Sequence, residues 1–214
     1  MWGRECPSGC DRVSSLSTTR LTLGWGSGGK PLYDCTYTLL LSLHVFLPVF
    51  ISGSITVDSI TEEAEQGTLE LLRVAPVTLV DIVDGKSVAM IAIAPLQAML
   101  WLFLLTLNGV AIANASWLFA LVAATATIVV ALSVAVSLLA PDRRSAQLLF
   151  SVGVLLFFAG ATLLPADPAN TAARLAIDSA TPTTRLAVIV YGAVAVAAAV
   201  AVRQLAKRTD PNTL

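Results

Sequence analysis

The sequence predicts an all-α protein, a polytopic membrane helix bundle of about five transmembrane helices with a cytoplasmic amphipathic segment, and three observations predict it. The 214-residue chain is 56% hydrophobic and only 13% charged, with a mean hydropathy of +0.80, whereas soluble domains are about 25% charged. Five runs of about twenty residues have cores without Asp, Glu, Lys or Arg. Each run is long enough to cross a hydrocarbon layer of roughly 30 Å at about 1.5 Å per residue. Lastly, the charges collect in the connectors, as they must when one charge at a helix centre costs about 2.5–3.5 kcal/mol.

Residues 1–37 are rich in Gly, Ser and Thr, hold no apolar run long enough to span or to act as a signal core, and read as a disordered tail. Cys6, Cys10 and Cys35 fit no zinc or redox spacing. The transmembrane domain then occupies residues 38–206. Its first span, residues 38–57, carries Pro48, which should kink it, and His44, for which a packing role outweighs a proton relay.

The charged connector, residues 61–86, follows. Glu62, Gln66, Glu70 and Arg73 fall on one helical face and Leu69, Leu72 and Ala75 on the adjoining one. Pro76 stops this helix, Thr78 caps a second short one with Asp81 at its third position, and Gly85 permits a turn into the next span. Periodicity alone leaves a helix–break–helix unit and a solvated loop evenly matched.

The second span, residues 87–110, is again interrupted by a proline, Pro95. An uncharged turn at Asn114 leads to the third, residues 117–140, which ends at Pro141. "PDRRS" precedes the fourth, residues 146–164. The polar loop 165–184 is expected to hold one short helix near residues 171–179. The fifth span covers residues 185–202, and a tail follows at residues 207–214. Within the third span, Thr125, Ser133 and Ser137 drift along one face and are candidate pathway-lining residues, although back-bonding to helix carbonyls is the commoner use of such hydroxyls. In the fifth span Gly192, Ala193, Ala197 and Ala198 form a small-residue face of a kind that an alanine-rich helix yields freely.

Orientation follows the positive charges. Arg143 and Arg144 lie between spans three and four, and Arg203, Lys207 and Arg208 follow span five, so these regions, the acidic connector and the C-terminus should face the cytoplasm. Five spans would then leave the basic tail with Arg4, Arg12, Arg20 and Lys30 outside, against the same rule.

The run "EAEQGTLELLRVAPVTLVDIVDGK" resembles the signature of ABC-2 type transporter permeases, an E-x-E-x-G-T-L-E core followed by L-L, P-[VL]-[ST] and G-K. Glu63, Glu65, Gly67, Thr68, Leu69, Glu70, Leu71, Leu72, Pro76, Val77, Thr78, Gly85 and Lys86 all fall in register. The resemblance implies the membrane-spanning permease subunit of an exporter located in the cell membrane. In that reading Glu63, Glu65, Gly67, Thr68, Leu69, Glu70, Pro76, Thr78, Gly85 and Lys86 form the part that couples to a separate ABC ATPase subunit, which binds ATP. It also implies a homodimer, or a heterodimer with a second permease, in the lipid bilayer. Family members usually have six spans, so the first one here corresponds to their second, and a truncated, internally initiated or frameshifted product is expected, one that as it stands fails to export even with its ATPase present. The alternative is a permease remnant or an accessory membrane subunit without its own transport cycle.

No enzyme is expected in the chain itself. "GSGGK" at residues 26–30 lacks the spacing and the Ser or Thr of a phosphate-binding loop. With one His and no metal-ligand or nucleophile motif, the sequence offers no catalytic residue, no metal site and no cofactor of its own. No basic stripe suits nucleic acid. The substrate is not readable from these residues.

Overall fold

The computed structural model describes residues 31–65, 79–109, 112–161, 167–176 and 180–209. These form six helices: α1 Pro31–Glu65, α2 Leu79–Leu107, α3 Ala115–Leu139, α4 Arg143–Ala161, α5 Pro168–Ala176 and α6 Pro182–Thr209. Among the described residues there is no strand. Residues up to Leu41 group as one unit and Ser42–Leu214 as another. The bundle belongs to the second. Five of its helices are long and apolar enough to cross a bilayer, over Val45–Glu63, Asp81–Leu107, Ala115–Leu139, Arg143–Ala161 and Pro182–Arg208. The predicted fold class and span number are therefore those of the structure.

Helix α3 is the axis of the bundle. It is packed by α2, α4, α5 and α6 and is the most buried of the five spans. Leu118, Leu121, Val122, Val129, Val130 and Val134 are almost wholly enclosed. Helices α2, α4 and α6 instead expose rows of large apolar residues, such as Leu96, Leu100 and Phe103 on α2 and Leu148, Val152 and Leu155 on α4. In a bilayer such faces cost nothing, because lipid tails are as apolar as leucine. Packing and hydrogen bonding have to hold the helices together instead.

Both devices are visible where α1 meets its neighbours. Gly53 brings the backbone of α1 so close to α3 and α4 that a β-carbon there would lie 2.6 Å from Phe150 Cζ and 2.7 Å from Val129 Cγ1. Phe50 stacks obliquely on Phe150, with centroids 6.0 Å apart, and Phe46 meets Phe158 edge-on at 5.6 Å. Ser52 Oγ donates across to the Met90 carbonyl at 2.6 Å. That carbonyl lies next to Ile91, whose own carbonyl has lost its intrahelical donor to Pro95. Most other hydroxyls turn inward: Thr56, Thr61, Thr125, Ser133 and Ser137 each donate to the carbonyl four residues back, at 2.7–2.9 Å.

Several boundaries differ from expectation, each for a physical reason. Helix α1 starts at Pro31, ahead of residue 38, and runs on to Glu65, past residue 57. No breaker lies between Val57 and Glu65, and acids are tolerated once the helix leaves the apolar layer. Helix α2 starts at Leu79, so the expected short capped helix and the second span are one continuous element. Gly85 makes no turn. A helical glycine costs about 1 kcal/mol relative to alanine, which a 29-residue helix absorbs. Helix α2 stops at Leu107 because Gly109 takes the left-handed conformation, φ +84°, and donates to the Thr106 carbonyl at 3.0 Å. Helix α4 begins at Arg143, ahead of residue 146, because Asp142 caps it: Ser145 donates to Asp142 through its N–H at 3.1 Å and its hydroxyl at 2.7 Å. The Ser145 hydroxyl, more than any other contact, holds the Asp142 carboxyl below its usual pKa.

The short helix α5 spans Pro168–Ala176 in place of residues 171–179, with Pro at its first position and Asp167 before it as cap. Asp167 Oδ1 accepts from the Ala169 N–H at 3.0 Å. Burial raises the Asp167 pKa, and the Ala169 and Asn170 N–H groups oppose that rise. At the other end of α5, the carbonyls of Ala176 and Leu175 accept from the N–H groups of Ala113 and Asn114 at 3.0 and 3.2 Å, so backbone bonds fasten the α2–α3 connection to it. Asn114 Nδ2 adds a bond to the Leu175 carbonyl at 3.2 Å.

Candidate functional site

At one end of the bundle, the C-terminus of α1, the N-termini of α2 and α4 and the last turns of α6 converge, and most of the described charged side chains gather there. The arrangement begins with a problem in α4. Arg143 and Arg144 occupy its first two positions, where the exposed N–H groups carry partial positive charge and cations are disfavoured. Three acids offset this. Asp142 caps the helix from within its own turn. Glu65 Oε1, from the last turn of α1, accepts the backbone N–H of Arg143 at 3.1 Å. Asp58 Oδ1, also from α1, accepts from Arg143 Nε and Nη2, both at 3.3 Å, and from Gln147 Nε2. Helix α1 thus caps α4 in trans and grips its first two turns.

Lys86 joins α2 to α1 in the same way. Its ammonium reaches Glu63 at 2.5 Å, Ser59 Oγ at 2.7 Å and the Ser59 carbonyl at 3.1 Å. Two turns of α1 are therefore tied to both neighbours. Asp84 of α2 then pairs with Arg203 of α6 at 2.7 Å. Beneath these pairs, Ile60, Val83, Val130 and Val134 from α1, α2 and α3 form a buried apolar cluster that Met90, Ile91, Leu138 and Val202 complete. An open groove of about 360 Å³ runs along one face of α1, lined by Ile55, Asp58, Ser59, Glu62 and Glu63.

Of the residues expected to couple to an ATPase, Glu63, Glu65, Gly85 and Lys86 are described. Three of these, Glu63, Glu65 and Lys86, meet partners from other helices. Gly85 lies inside α2, and a β-carbon there would meet nothing within 4 Å. Gly67, Thr68, Leu69, Glu70, Pro76 and Thr78 fall outside the described residues, as do Cys6 and Cys10 and the side chains of Cys35 and His44. Thr125, Ser133 and Ser137 are buried between helices with their hydroxyls on helix carbonyls. Asp58, Asp84, Arg143, Gln147 and Arg203 carry the network without having been singled out for it, because their pairings join residues far apart in sequence.

A family model described as "ABC-2 family transporter protein" matches residues 22–207. The chain belongs to the ABC-2 transporter family. It is accordingly a multi-pass membrane protein and a permease of an ABC transporter, a membrane transport subunit rather than the ATPase itself. Permeases of this family work with ABC ATPase subunits in general. No curated protein and no solved structure matches the chain. In this ABC-2 permease the sequence signature begins within the last turns of α1 and ends within α2, so the tied end of the bundle is the signature's own frame.

Proposed function

We propose that this permease is the membrane subunit of an exporter, that its charged end faces the cytoplasm, and that residues 61–86 seat against a separate ATPase subunit. The observation that supports this most directly is the double attachment of the connector's ends. Glu63 and Glu65 precede the intervening residues 66–78 and Lys86 follows them, and each is bonded to a different helix. A push on the connector would pass through Glu65 and Asp58 to α4, and through Asp84 to α6, moving helices as units. Two copies, or this chain with a second permease, would complete a pathway in the bilayer.

The test of coupling is Gly67→Leu, which puts a bulky side chain in place of a hydrogen atom within the segment. We predict unchanged membrane insertion but loss of the coupling between ATP hydrolysis and transport in vesicles carrying the permease and its ATPase. Unchanged substrate-stimulated hydrolysis and transport would refute the seating of this segment on the ATPase.

Orientation is tested separately. With Cys6, Cys10 and Cys35 replaced by Ser, a cysteine at Asn114 should react with an impermeant maleimide applied outside intact cells, and one at Arg208 only after the membrane is opened. Equal labelling of both from outside would overturn the assignment.

A further inference from the structure

At the opposite end of the bundle, α6 also carries a cation in its first turn, and there the cap is the neutral Thr181, whose Oγ1 accepts from the Thr184 N–H at 3.3 Å. Arg185 sits in the first turn of α6, a turn that contains no acid, with its cation set against the helix's positive end. For the arginines of α4 the fold supplies Asp142, Glu65 and Asp58; for Arg185 no carboxylate partner is present among the described residues. Its guanidinium instead lies over the Trp117 ring of α3, 5.9 Å from the centroid, near the outer limit for a cation–π contact. The two side chains flank a cavity of about 540 Å³ whose other walls are Ala180, Pro182, Leu186 and Ile189. Leu186, Ile189 and Val190 are more than half exposed, so the cavity continues down α6 as an open apolar strip.

From this geometry we infer that the Trp117–Arg185 cavity binds an anionic phospholipid, its phosphate on Arg185 and its acyl chain along Leu186 and Ile189. The cavity has the polarity profile of that ligand: one cation at the level where a spanning helix enters water, an interfacial tryptophan beside it, and an apolar strip running into the hydrocarbon. A phosphate there neutralises Arg185, while the N–H groups of Thr184 and Arg185 stay bonded to Thr181. A zwitterionic lipid fits the strip equally well but brings its own cation, so the site favours net negative charge. This inference does not rest on the coupling reading.

The experiment uses the full chain with Trp2, Trp25 and Trp101 changed to Phe, so that Trp117 is the only fluorophore of its kind. The protein is placed in phosphatidylcholine vesicles, and either phosphatidylglycerol or phosphatidylcholine brominated near the carboxyl end of its chains is titrated in. Brominated phosphatidylglycerol is expected to quench Trp117 with a relative association about fivefold higher than brominated phosphatidylcholine, the effect of about one basic residue near an anionic surface. Arg185→Gln should make the two lipids equal, and Arg185→Lys should keep part of the preference. Equal quenching in the parent protein, a preference that survives Arg185→Gln, or removal of the preference by inorganic phosphate in the buffer would each overturn the assignment.

Discussion

Gly53→Val is expected to unfold the bundle around α1. A β-carbon at this position starts 2.6 Å from the Phe150 ring and 2.7 Å from Val129, and valine adds two methyl groups to it. Phe150 is 2% exposed and Val129 is fully buried, so neither can shift without displacing the neighbours that enclose it. Replacing a helical glycine gains up to about 1 kcal/mol in backbone entropy, but overpacking costs about 1–3 kcal/mol and occasionally more. The clash decides the sign. Gly53→Ala should lower the thermal unfolding midpoint in detergent and Gly53→Val should lower it further or prevent recovery of folded protein. Gly192→Ala, where a β-carbon meets nothing within 4 Å, is the control that should leave the midpoint unchanged or raise it. A Gly53→Val protein melting at the parent temperature would show that α1 does not pack as described.

Reversing one charge of the Asp58–Arg143 pair is expected to affect transport far more than stability. Both side chains are about 40% exposed, and pairs so placed contribute about 1 kcal/mol or less. Their importance lies in joining α1, which leads into the connector, to the first turn of α4. If that joint transmits the ATPase's push, its loss removes a coupling free energy, typically about 1–3 kcal/mol or 5- to 150-fold. ATP-driven transport by Arg143→Asp should fall within that range while the unfolding midpoint moves little. The exchange Asp58→Arg with Arg143→Asp should recover a large part of the transport. Normal transport by the single variant would mean that the push takes another route.

The five spans could be recognised in the sequence because a bilayer penalises charge so heavily that their cores announce themselves. Helix ends were less accessible, since a helix need not stop where the membrane does. Helix α1 continues through Asp58, Glu62 and Glu63, and α2 begins at Leu79, ahead of its apolar run. Two local signals could have corrected the boundaries. Asp142 with Ser145 three residues later is a capping pattern, and Gly109 just after Leu107 is a stop. The site divided along the same line. Glu63, Glu65 and Lys86 could be found from a short linear pattern. Asp58 with Arg143 and Gln147, and Asp84 with Arg203, are tertiary pairings, and nothing in the local sequence of either partner points to the other. Gly53 was equally silent, because a glycine in an apolar run shows its meaning only when its neighbours are in place.

The bundle's two ends are fastened by bonds of different kinds. Where α5 meets the α2–α3 connection, main-chain amides hold carbonyls, and no dissolved ion competes strongly for them. At the other end the fastenings are partly exposed ion pairs, within reach of counterions whose screening length is about 8 Å at physiological ionic strength. Rising salt therefore weakens the ion pairs, while the buried Ile60, Val83, Val130 and Val134 cluster beneath them is not screened. Ionic strength thus separates the two kinds of fastening: it reaches the joints of α1, α2, α4 and α6 and spares the one between α5 and the α2–α3 connection.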